Sequence, residues 1–285
     1  MDYVVPSKVV AAMLEAGAVK ANAQLGDLII RGFLAGALLG FATSLAAIAT
    51  VQTNLPIVGA ILFPVGFVMI VLLGLELVTG NFALVTMAVI DGRCTVAQML
   101  RNFGVVFLAN LLGSLFYACL LWVSLTAAGS LPPDAIAQKI IAIAEAKAAY
   151  PASWGLGPMF VRSILCNWMV CLGVVMAMTS TSTTGKIVAA WLPILVFFAH
   201  GFEHSVVNMF VIPAGMMLGA KVTIADWLWK NQFVVTLGNY AGGSLFTGIA
   251  LYYTYLRSSA APNTKPSGYD KPHHRGHDHR GNYRR

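Results

Sequence analysis

Charged side chains are scarce in this sequence. Only 10% of its 285 residues are Asp, Glu, Lys or Arg, and 58% are hydrophobic, whereas a soluble globular protein carries about 25% charged residues. So few charges cannot cover the surface of a soluble globule, and the high hydrophobic content excludes a disordered chain. Cysteine is also rare: the four cysteines form no Cys-x-x-Cys pair and are interpreted as packing residues. The composition indicates an integral membrane protein.

The positive charge that is present lies mostly at the carboxyl end. The chain has a net charge of +7, but residues 257–285 alone hold seven basic and two acidic side chains, a net +5, which leaves only +2 for the rest. This segment is rich in Pro, Gly, Ser and His and is predicted to be a disordered basic cytoplasmic tail. The charge therefore marks a tail and not a nucleic-acid-binding surface, and no nucleic-acid partner is expected.

Six apolar runs predict six membrane helices, because a bilayer core takes about 20 apolar residues per helix. The runs cover about 28–50, 57–90, 103–128, 160–180, 187–219 and 233–256. The second and fifth are too long for one straight span, and each contains a polar interruption, at 74–81 and 200–208. Irregular backbone at membrane depth survives only where protein or a cavity satisfies it. Helices 2 and 5 are therefore predicted to be broken, at a pathway.

The basic residues outside the spans predict the orientation. Twelve Lys and Arg fall on the side of both termini and four on the other, so the positive-inside rule places both termini in the cytoplasm of a multi-pass protein of the cell inner (cytoplasmic) membrane. The domain prediction is a cytoplasmic amphipathic helix in 1–27, a six-helix transport domain in 28–256 with an outer segment at 130–159, and the tail at 257–285.

An internal repeat relates the two halves of the membrane domain, about 28–129 and 160–256. The spacing of Glu76 and Asn81 returns at Glu203 and Asn208, and the segments 110–116 and 239–246 match with one insertion. The offset stays between 127 and 131 residues. Because each half has three spans, the halves must cross the membrane in opposite directions. The predicted fold is an all-α inverted 3+3 repeat, whose functional site lies where the broken helices meet.

Three ionisable side chains fall within the spans, where charge is costly and marks functional candidates. Glu76 and Glu203 occupy equivalent repeat positions at the breaks and are predicted to accept hydrogen bonds from freed backbone N–H groups, supported by Asn81 and Asn208. His204 has no counterpart, since its repeat position is Leu77. Imidazole exchanges a proton near neutral pH, so we predict a central substrate and proton site. The predicted partners of His204 there are Thr79 and Asn167.

Three motifs resemble those of the formate/nitrite transporter family: 72–80 (LLGLELVTG), 164–172 (ILCNWMVCL) and 201–213 (GFEHS followed by NMFVIP). The resemblance covers about residues 6–256. It implies an aquaporin-like protomer of six helices in a homopentamer, with one pathway per protomer embedded in membrane lipid. It also implies passage of small monovalent anions such as formate, nitrite, hydrosulfide, acetate or lactate, in several cases with a proton, and no cofactor.

The resemblance also assigns residues along the pathway. It places the outer constriction at Phe63 and Phe197, the inner one at Phe67, Leu77, Val78 and Val170, and an anion-attracting lysine of the outer vestibule at Lys147. Two departures from the family pattern stand out. Val78 occupies a commonly aromatic position while Phe67 occupies an often aliphatic one, so the aromatic ring has crossed the pore; Lys147 lies about four residues further from Asn167 than is usual.

Two other functions are compatible with parts of the sequence. A neutral-solute pore of the water/glycerol type shares the inverted topology, but it relies on Asn-Pro-Ala boxes and this chain has no Asn-Pro dipeptide. A membrane metalloenzyme would use Glu76, Glu203 and His204 as ligands, but the sequence has no His/Cys/Asp cluster and no nucleotide motif. We therefore expect no enzyme and no metal, and the leading hypothesis is channel-like or proton-coupled anion passage.

Overall fold

The computed structural model describes residues 2–150 and 155–256, and this part of the chain is helical, with one isolated β-bridge between Tyr3 and Ser180. The predicted tail at 257–285 lies outside the described residues. The helices are α1 (Pro6–Asn22), α2 (Leu25–Thr53), α3 (Pro56–Leu62), α4 (Pro64–Leu72), α5 (Val78–Ile90), α6 (Val96–Thr126), α7 (Ala135–Ala148), α8 (Gly157–Ala177), α9 (Thr183–Ala199), α10 (Ser205–Leu218) and α11 (Asp226–Tyr255).

Four of the described helices are long and apolar enough to cross a membrane: α2, α6, α8 and α11, with 29, 31, 21 and 30 residues. The segment Pro56–Leu72, which combines α3 and α4, and the helices α5, α9 and α10 are shorter and also apolar. Many large apolar side chains on these helices are exposed, among them Leu108, Leu112 and Phe116 on α6. Such apolar faces suit lipid or another subunit and do not suit water.

The backbone has the same geometry between α4 and α5 as between α9 and α10. The residues between α4 and α5 include Gly74, and those between α9 and α10 include Gly201; both glycines have φ +62°, a left-handed conformation that glycine adopts without a steric penalty. The residue before each second helix is extended, Leu77 at φ −112°, ψ 117° and His204 at φ −115°, ψ 122°. The polar interruptions seen in the sequence therefore coincide with ends of helices.

Helix α11 contains two π-helical stretches, Asp226–Gln232 and Ser244–Ile249. The second begins directly after Gly243, the residue that aligns as the insertion between segments 110–116 and 239–246. A π-helical turn accommodates one extra residue within a continuous helix. The one-residue shift in the repeat is thus absorbed inside α11 and does not end it.

Small residues allow α2 to pack against α6, and α8 against α11, with their backbones in close contact. A Cβ added to Gly113 would lie 1.9 Å from the carbonyl oxygen of Phe33, and one added to Gly242 would lie 2.2 Å from that of Ile164. Both distances are far below van der Waals contact, so only glycine fits. This close approach is typical of membrane helix pairs, and it brings the helix breaks next to α6 and α11.

The helices α1 and α7 both pack against the core of the protein. The sequence predicted an amphipathic helix in 1–27 and an outer segment at 130–159. In the structure α1 spans Pro6–Asn22, and the outer segment contains α7, Ala135–Ala148, which is capped by the Asp134 side chain. The end of the predicted segment belongs to the next helix, since α2 begins at Leu25. α1 buries Met13 against α5, and α7 buries Ile140 and Ala144 against α10. Neither helix is merely a surface feature, and each contributes a lysine to the interior.

Candidate functional site

Two cavities enter the helical domain. The first, which we call the α7-side cavity, has a volume of about 460 Å³ and is lined by residues of α2, α7, α8, α9 and α10 and of the segments that adjoin them, including Lys147, Tyr150, Arg162, Phe197, Glu203 and His204. The second, the α1-side cavity, has a volume of about 600 Å³ and is lined by residues of α1, α4, α5, α8 and α9, including Lys20, Phe67, Leu77, Gly80, Asn81 and Lys186. Each cavity therefore reaches one of the two helix breaks.

The side chains of Thr79 and His204 meet between the cavities, with 3.2 Å between Thr79 Oγ1 and His204 Nε2. His204 lines the α7-side cavity, whereas Leu77 and Gly80, on either side of Thr79 in the sequence, line the α1-side cavity. Both side chains are buried, Thr79 with 0% and His204 with 2% exposure. The contact joins the walls of the two cavities, and the structure thus brings together two of the three predicted central residues.

The backbone sets the proton position on His204. Its Nδ1 accepts a hydrogen bond from the N–H of Val207 at 3.2 Å, so the imidazole caps the N-terminus of α10. A ring nitrogen that accepts cannot carry the proton of a neutral imidazole. The proton therefore belongs on Nε2, and His204 donates it to the hydroxyl of Thr79. The central histidine faces the gap between the cavities as a hydrogen-bond donor.

Asn167, the third predicted central residue, lies directly beside this pair. Its Nδ2 donates to the carbonyl oxygens of Thr79 at 3.0 Å and Asn239 at 2.7 Å. Its Oδ1 is buried and has no hydrogen-bond partner among the described residues. A buried polar atom left unpaired costs about 1–3 kcal/mol. The central group therefore combines one donor, the Nε2–H of His204 that Thr79 accepts, with one unused acceptor, Oδ1 of Asn167.

Phenylalanine rings border the central group on the side of the α7-side cavity. Phe197 lies 5.7 Å from the His204 ring, and Phe63 packs on Phe197 edge-to-face at 5.6 Å and stacks on Phe198 at 3.9 Å. Phe63 is 1% exposed and Phe197 2%. The predicted outer constriction residues are therefore in mutual contact next to His204.

The four residues predicted for the inner constriction separate into two pairs. Phe67 and Leu77 line the α1-side cavity. Val78 and Val170 are fully packed in the core with at most 1% exposure, and in the described part of the chain neither belongs to the lining of either cavity. Val78 instead starts α5, and its N–H donates to Oδ1 of Asn110 at 3.0 Å.

The glutamates at the two breaks make matching sets of contacts. Glu76 accepts from Lys20 Nζ at 2.8 Å and from Asn81 Nδ2 at 2.8 Å. Glu203 accepts from Lys147 Nζ at 2.9 Å and from Asn208 Nδ2 at 2.8 Å. The donors are side chains and not the freed backbone N–H groups that the sequence predicted, because those N–H groups are served by asparagines of α6 and α11.

Asn110 and Asn239 connect the breaks to the long helices, and sequence reasoning gave neither a role. Asn110 accepts from the N–H of Val78 and donates to the carbonyls of Gly32 and Glu76. Asn239 accepts from the N–H of Ser205 and donates to the carbonyls of Ser163 and Glu203. Each amide thus uses its full donor capacity on one carbonyl at a helix break and one carbonyl of a neighbouring long helix. Their matching positions in the aligned repeat were the signal that could have found them.

Lys20 is a further residue that the sequence interpretation missed. It was placed in a cytoplasmic helix, yet it occupies the position 127 residues before Lys147 and makes the equivalent ion pair. Asn102 and Asn231 complete the match, since they donate to the carbonyls of Lys20 and Lys147, at 2.9 Å in each case. Applying the repeat offset of the glutamates to Lys147 would have identified Lys20.

Lys147 itself, predicted to attract anions, lines the α7-side cavity but is paired. Its side chain is 15% exposed and that of Glu203 4%. Tyr150 donates to the second oxygen of Glu203 at 3.2 Å. Burial and the neighbouring Glu203 carboxylate raise the pKa of Tyr150 to about 12, so this phenol keeps its proton as a donor. Elsewhere in the described residues, no group of three His, Cys, Asp or Glu side chains is placed to hold a metal ion.

Apolar spanning helices, two cavities that approach each other at helix breaks and a buried polar contact between them define a multi-pass membrane protein of the transporter and channel class. Comparison with known proteins gives the family: residues 7–253 match the model described as formate/nitrite transporter. The chain belongs to the formate/nitrite transporter family.

Individual relatives agree with this assignment. The chain is 38% identical over 257 residues to a protein described as a probable formate transporter of Methanothermobacter thermautotrophicus, covering 84% of this chain and 92% of that one. Among solved structures it is similar to an FNT family ion channel, with a TM-score of 0.74, 30% identity and coverage of 87% and 98%. A pentameric formate channel with formate bound gives a TM-score of 0.67 at 25% identity, with coverage of 81% and 98%. These names describe transporters and channels and not enzymes.

Proposed function

We propose that this protein passes small monovalent anions, with formate and nitrite as the first candidates and hydrosulfide, acetate and lactate as others, across the cell inner membrane. The relatives named for formate support the substrate class. The single observation that carries the proposal is the contact between Thr79 and His204, which stands between two cavities that enter from opposite breaks. An ion that moves from one cavity to the other must pass this contact.

The proposed membrane arrangement has six spans in an inverted 3+3 repeat. α2, α6, α8 and α11 are four spans, while α3 to α5 form one broken span and α9 with α10 the other. Both termini are assigned to the cytoplasm, so the α1-side cavity is the inner vestibule and the α7-side cavity the outer one. The similarity to a pentameric channel supports a homopentamer with one pathway per protomer.

The apolar constrictions would strip water from the ion. We assign the outer constriction to Phe63 and Phe197, and the inner one to Phe67 and Leu77 with Val78 and Val170 packed behind them. A bare charge is expensive between such walls. Passage is easier for an ion that gains a hydrogen bond or a proton at the moment it leaves water.

The central group of Thr79, Asn167 and His204 offers both a hydrogen bond and a proton. The Nε2–H of His204 is the donor for an anionic oxygen, in place of the Thr79 hydroxyl. The unused Oδ1 of Asn167 is an acceptor, and a neutral acid such as HCOOH brings an O–H that matches it, whereas the bare anion does not. We therefore propose that the ion is protonated, or shares a proton, at this point, which makes transport proton-coupled.

The test uses purified protein in proteoliposomes and compares two substitutions of His204. In His204→Asn the amide oxygen replaces Nδ1 and keeps the cap on the Val207 N–H, since Asn is a good N-cap residue, but the Nε2–H is lost. His204→Ala loses both. We expect His204→Asn to keep the folded assembly while pH-gradient-driven formate uptake falls at least about tenfold, the equivalent of about 1.4 kcal/mol.

The controls separate the anion pathway from its proton coupling. Unchanged pH-dependent uptake in His204→Asn would refute the role of the histidine. If formate flux in the wild type is rapid but does not depend on the pH gradient, the protein is an anion channel and the proposed proton coupling is wrong. Flux of glycerol and not of formate would overturn the anion assignment.

A further inference from the structure

The α7-side cavity contains two cations and one acid, and the two cations are not equivalent. Lys147 is neutralised by Glu203 at 2.9 Å. Arg162, at the start of α8, lines the same cavity. Within residues 2–150 and 155–256, no carboxylate lies within 4.0 Å of its guanidinium. The charge that the cavity presents to an approaching ion is therefore that of Arg162.

The guanidinium is fixed in place by the helix break and not by an acid. Its Nη2 donates to the carbonyl oxygen of Gly201 at 2.7 Å, with His200 O at 3.5 Å. Gly201 is the residue with φ +62° that turns the chain between α9 and α10. A neutral carbonyl orients the guanidinium without cancelling its charge. Arg162 is thus held beside the break that leads to His204.

Part of the hydrogen-bonding capacity of Arg162 is unused. Its Nε is buried and has no partner in the described part of the chain. Such a donor is unusual in a folded protein and calls for an explanation. The guanidinium thus has an unpaired Nε and no carboxylate partner among the described residues, whereas Lys147 in the same cavity is ion-paired with Glu203.

The walls of the cavity strengthen this charge. Much of the lining is apolar and therefore of low dielectric constant, including Ala46, Ala47, Phe197, Phe198 and Val211. Clefts with one sign of charge and low-dielectric walls focus the field and raise the local concentration of counter-ions. A single unpaired cation is therefore effective here, whereas the buried Lys147–Glu203 pair has almost no field at a distance.

We propose that Arg162, and not Lys147, is the residue that draws the anion into the α7-side cavity. This inference rests on the proposed function and deepens it, because it assigns the recruiting charge of the anion pathway to one side chain. Lys147 then serves mainly to neutralise Glu203 and to hold the break.

The experiment measures initial rates of formate uptake against formate concentration at ionic strengths of about 20 mM and 200 mM, since the Debye length falls from about 20 Å to about 7 Å over this range. We expect Arg162→Gln to raise the half-saturating concentration about 3- to 10-fold at low salt with the maximal rate within about twofold. The difference should shrink at high salt. Arg162→Lys, which keeps the charge, should stay near the wild type.

Arg31 provides the matched control. It is the repeat counterpart of Arg162, it is exposed and lies 3.7 Å from Asp27, and among the described residues it does not line either cavity. Arg31→Gln should therefore leave the rates and their salt dependence unchanged. A loss in both Arg162→Gln and Arg162→Lys that is equal at the two ionic strengths would reduce Arg162 to a support of the Gly201 carbonyl and overturn the proposal.

A double variant tests the same inference without touching Arg162. Lys147→Met with Glu203→Gln removes the ion pair and keeps the net charge. If Arg162 recruits the ion, the salt dependence of uptake persists in this variant; if it disappears, Lys147 is the recruiting residue and the proposal is wrong. If the wild type transports none of the small anions, the proposed function and this inference are both wrong. If the wild type transports them normally and the kinetics of Arg162→Gln are unaltered, this inference alone is wrong.

Discussion

Lys147 and Glu203 form a buried ion pair, with 2.9 Å between Nζ and Oε2 and side chains only 15% and 4% exposed. Breaking such a pair by removing one partner costs about 3–5 kcal/mol, because the other charge stays buried alone, while removing both costs much less. We predict that Lys147→Met and Glu203→Gln each lower the midpoint of thermal unfolding strongly. The double variant should be closer to the wild type than either single variant.

A double-mutant cycle in detergent solution measures this coupling. The Lys20–Glu76 pair, with 2.8 Å between Nζ and Oε1, is the internal reference and should give a coupling of similar size. Simple additivity of the two single variants would show that the pair contributes little and that the asparagines alone hold the breaks.

The amides of Asn110 and Asn239 are predicted to stabilise the breaks to a similar degree. Asn239→Ala leaves the Ser205 N–H and the Ser163 and Glu203 carbonyls without their partner. Each unsatisfied buried group costs about 1–3 kcal/mol, so we expect at least about 2 kcal/mol of lost stability from this one substitution. Asn110→Ala should do the same at the other break.

Thermal unfolding monitored by circular dichroism tests this, with Asn22→Ala as the control. Asn22 is exposed at the end of α1, where its amide donates to the Ala18 carbonyl and accepts from Gln98 Nε2 at 2.6 Å, both at the surface. Its loss should cost well under 1 kcal/mol. Comparable losses of stability at all three positions would mean that Asn110 and Asn239 stabilise the fold no more than an exposed amide does.

A glycine pair on α6 should give effects of opposite sign. A Cβ on Gly113 would lie 1.9 Å from the Phe33 carbonyl oxygen, so Gly113→Ala must push α2 and α6 apart, at a cost of about 1–3 kcal/mol. Nothing lies within 4 Å of a Cβ on Gly104. Gly104→Ala should therefore stabilise the helix by about 0.5–1 kcal/mol. Two substitutions of the same kind, in one helix, would thus move the unfolding midpoint in opposite directions, and a shift of the same sign in both would contradict the packing described here.

The sequence predicted the class of the protein, and its polar interruptions coincide with ends of helices, because both features depend on local signals. Apolar runs of span length and a polar interruption inside each are visible without tertiary contacts, and Gly74 and Gly201 fall at the ends of helices as the interruptions suggested. The family assignment followed from three motifs and is confirmed by the match over residues 7–253.

The contacts that hold the site were less accessible because they join residues far apart in the chain. Lys20 is 56 residues from Glu76, and Asn239 is 34 residues from Ser205. No local pattern distinguishes such a lysine from one on a cytoplasmic helix. The internal repeat was the sequence signal for these partners. It identifies them only when the two halves are compared residue by residue. The one-residue insertion before Ser244 had no visible meaning in the sequence, since a π-helical stretch has no marked composition.

The amino-terminal segment gives a prediction for pH. Asp2 accepts five hydrogen bonds from Ser180, Thr181 and Ser182 between α8 and α9, and the hydroxyls of Thr181, Ser182 and Ser180 lower the pKa of this carboxyl from its ordinary value. A carboxyl with a lowered pKa in the folded state stabilises the fold above its unfolded pKa, about 3.9, and loses this contribution only as pH falls through the folded value. The attachment should therefore be constant from pH 8 to about pH 4.5.

Hydrogen exchange of the Thr181 and Ser182 amides, corrected for the intrinsic dependence of exchange on pH, measures this attachment, because both amides donate to Asp2. In the wild type we expect equal protection factors at pH 7 and pH 5. Asp2→Asn keeps the shape but replaces the charged acceptor with a neutral amide that has one acceptor oxygen, so protection should fall at every pH. Protection that declines in the wild type between pH 7 and pH 5 would mean that a different group, titrating near neutrality, holds the segment, since an Asp with a lowered pKa stays charged throughout this range.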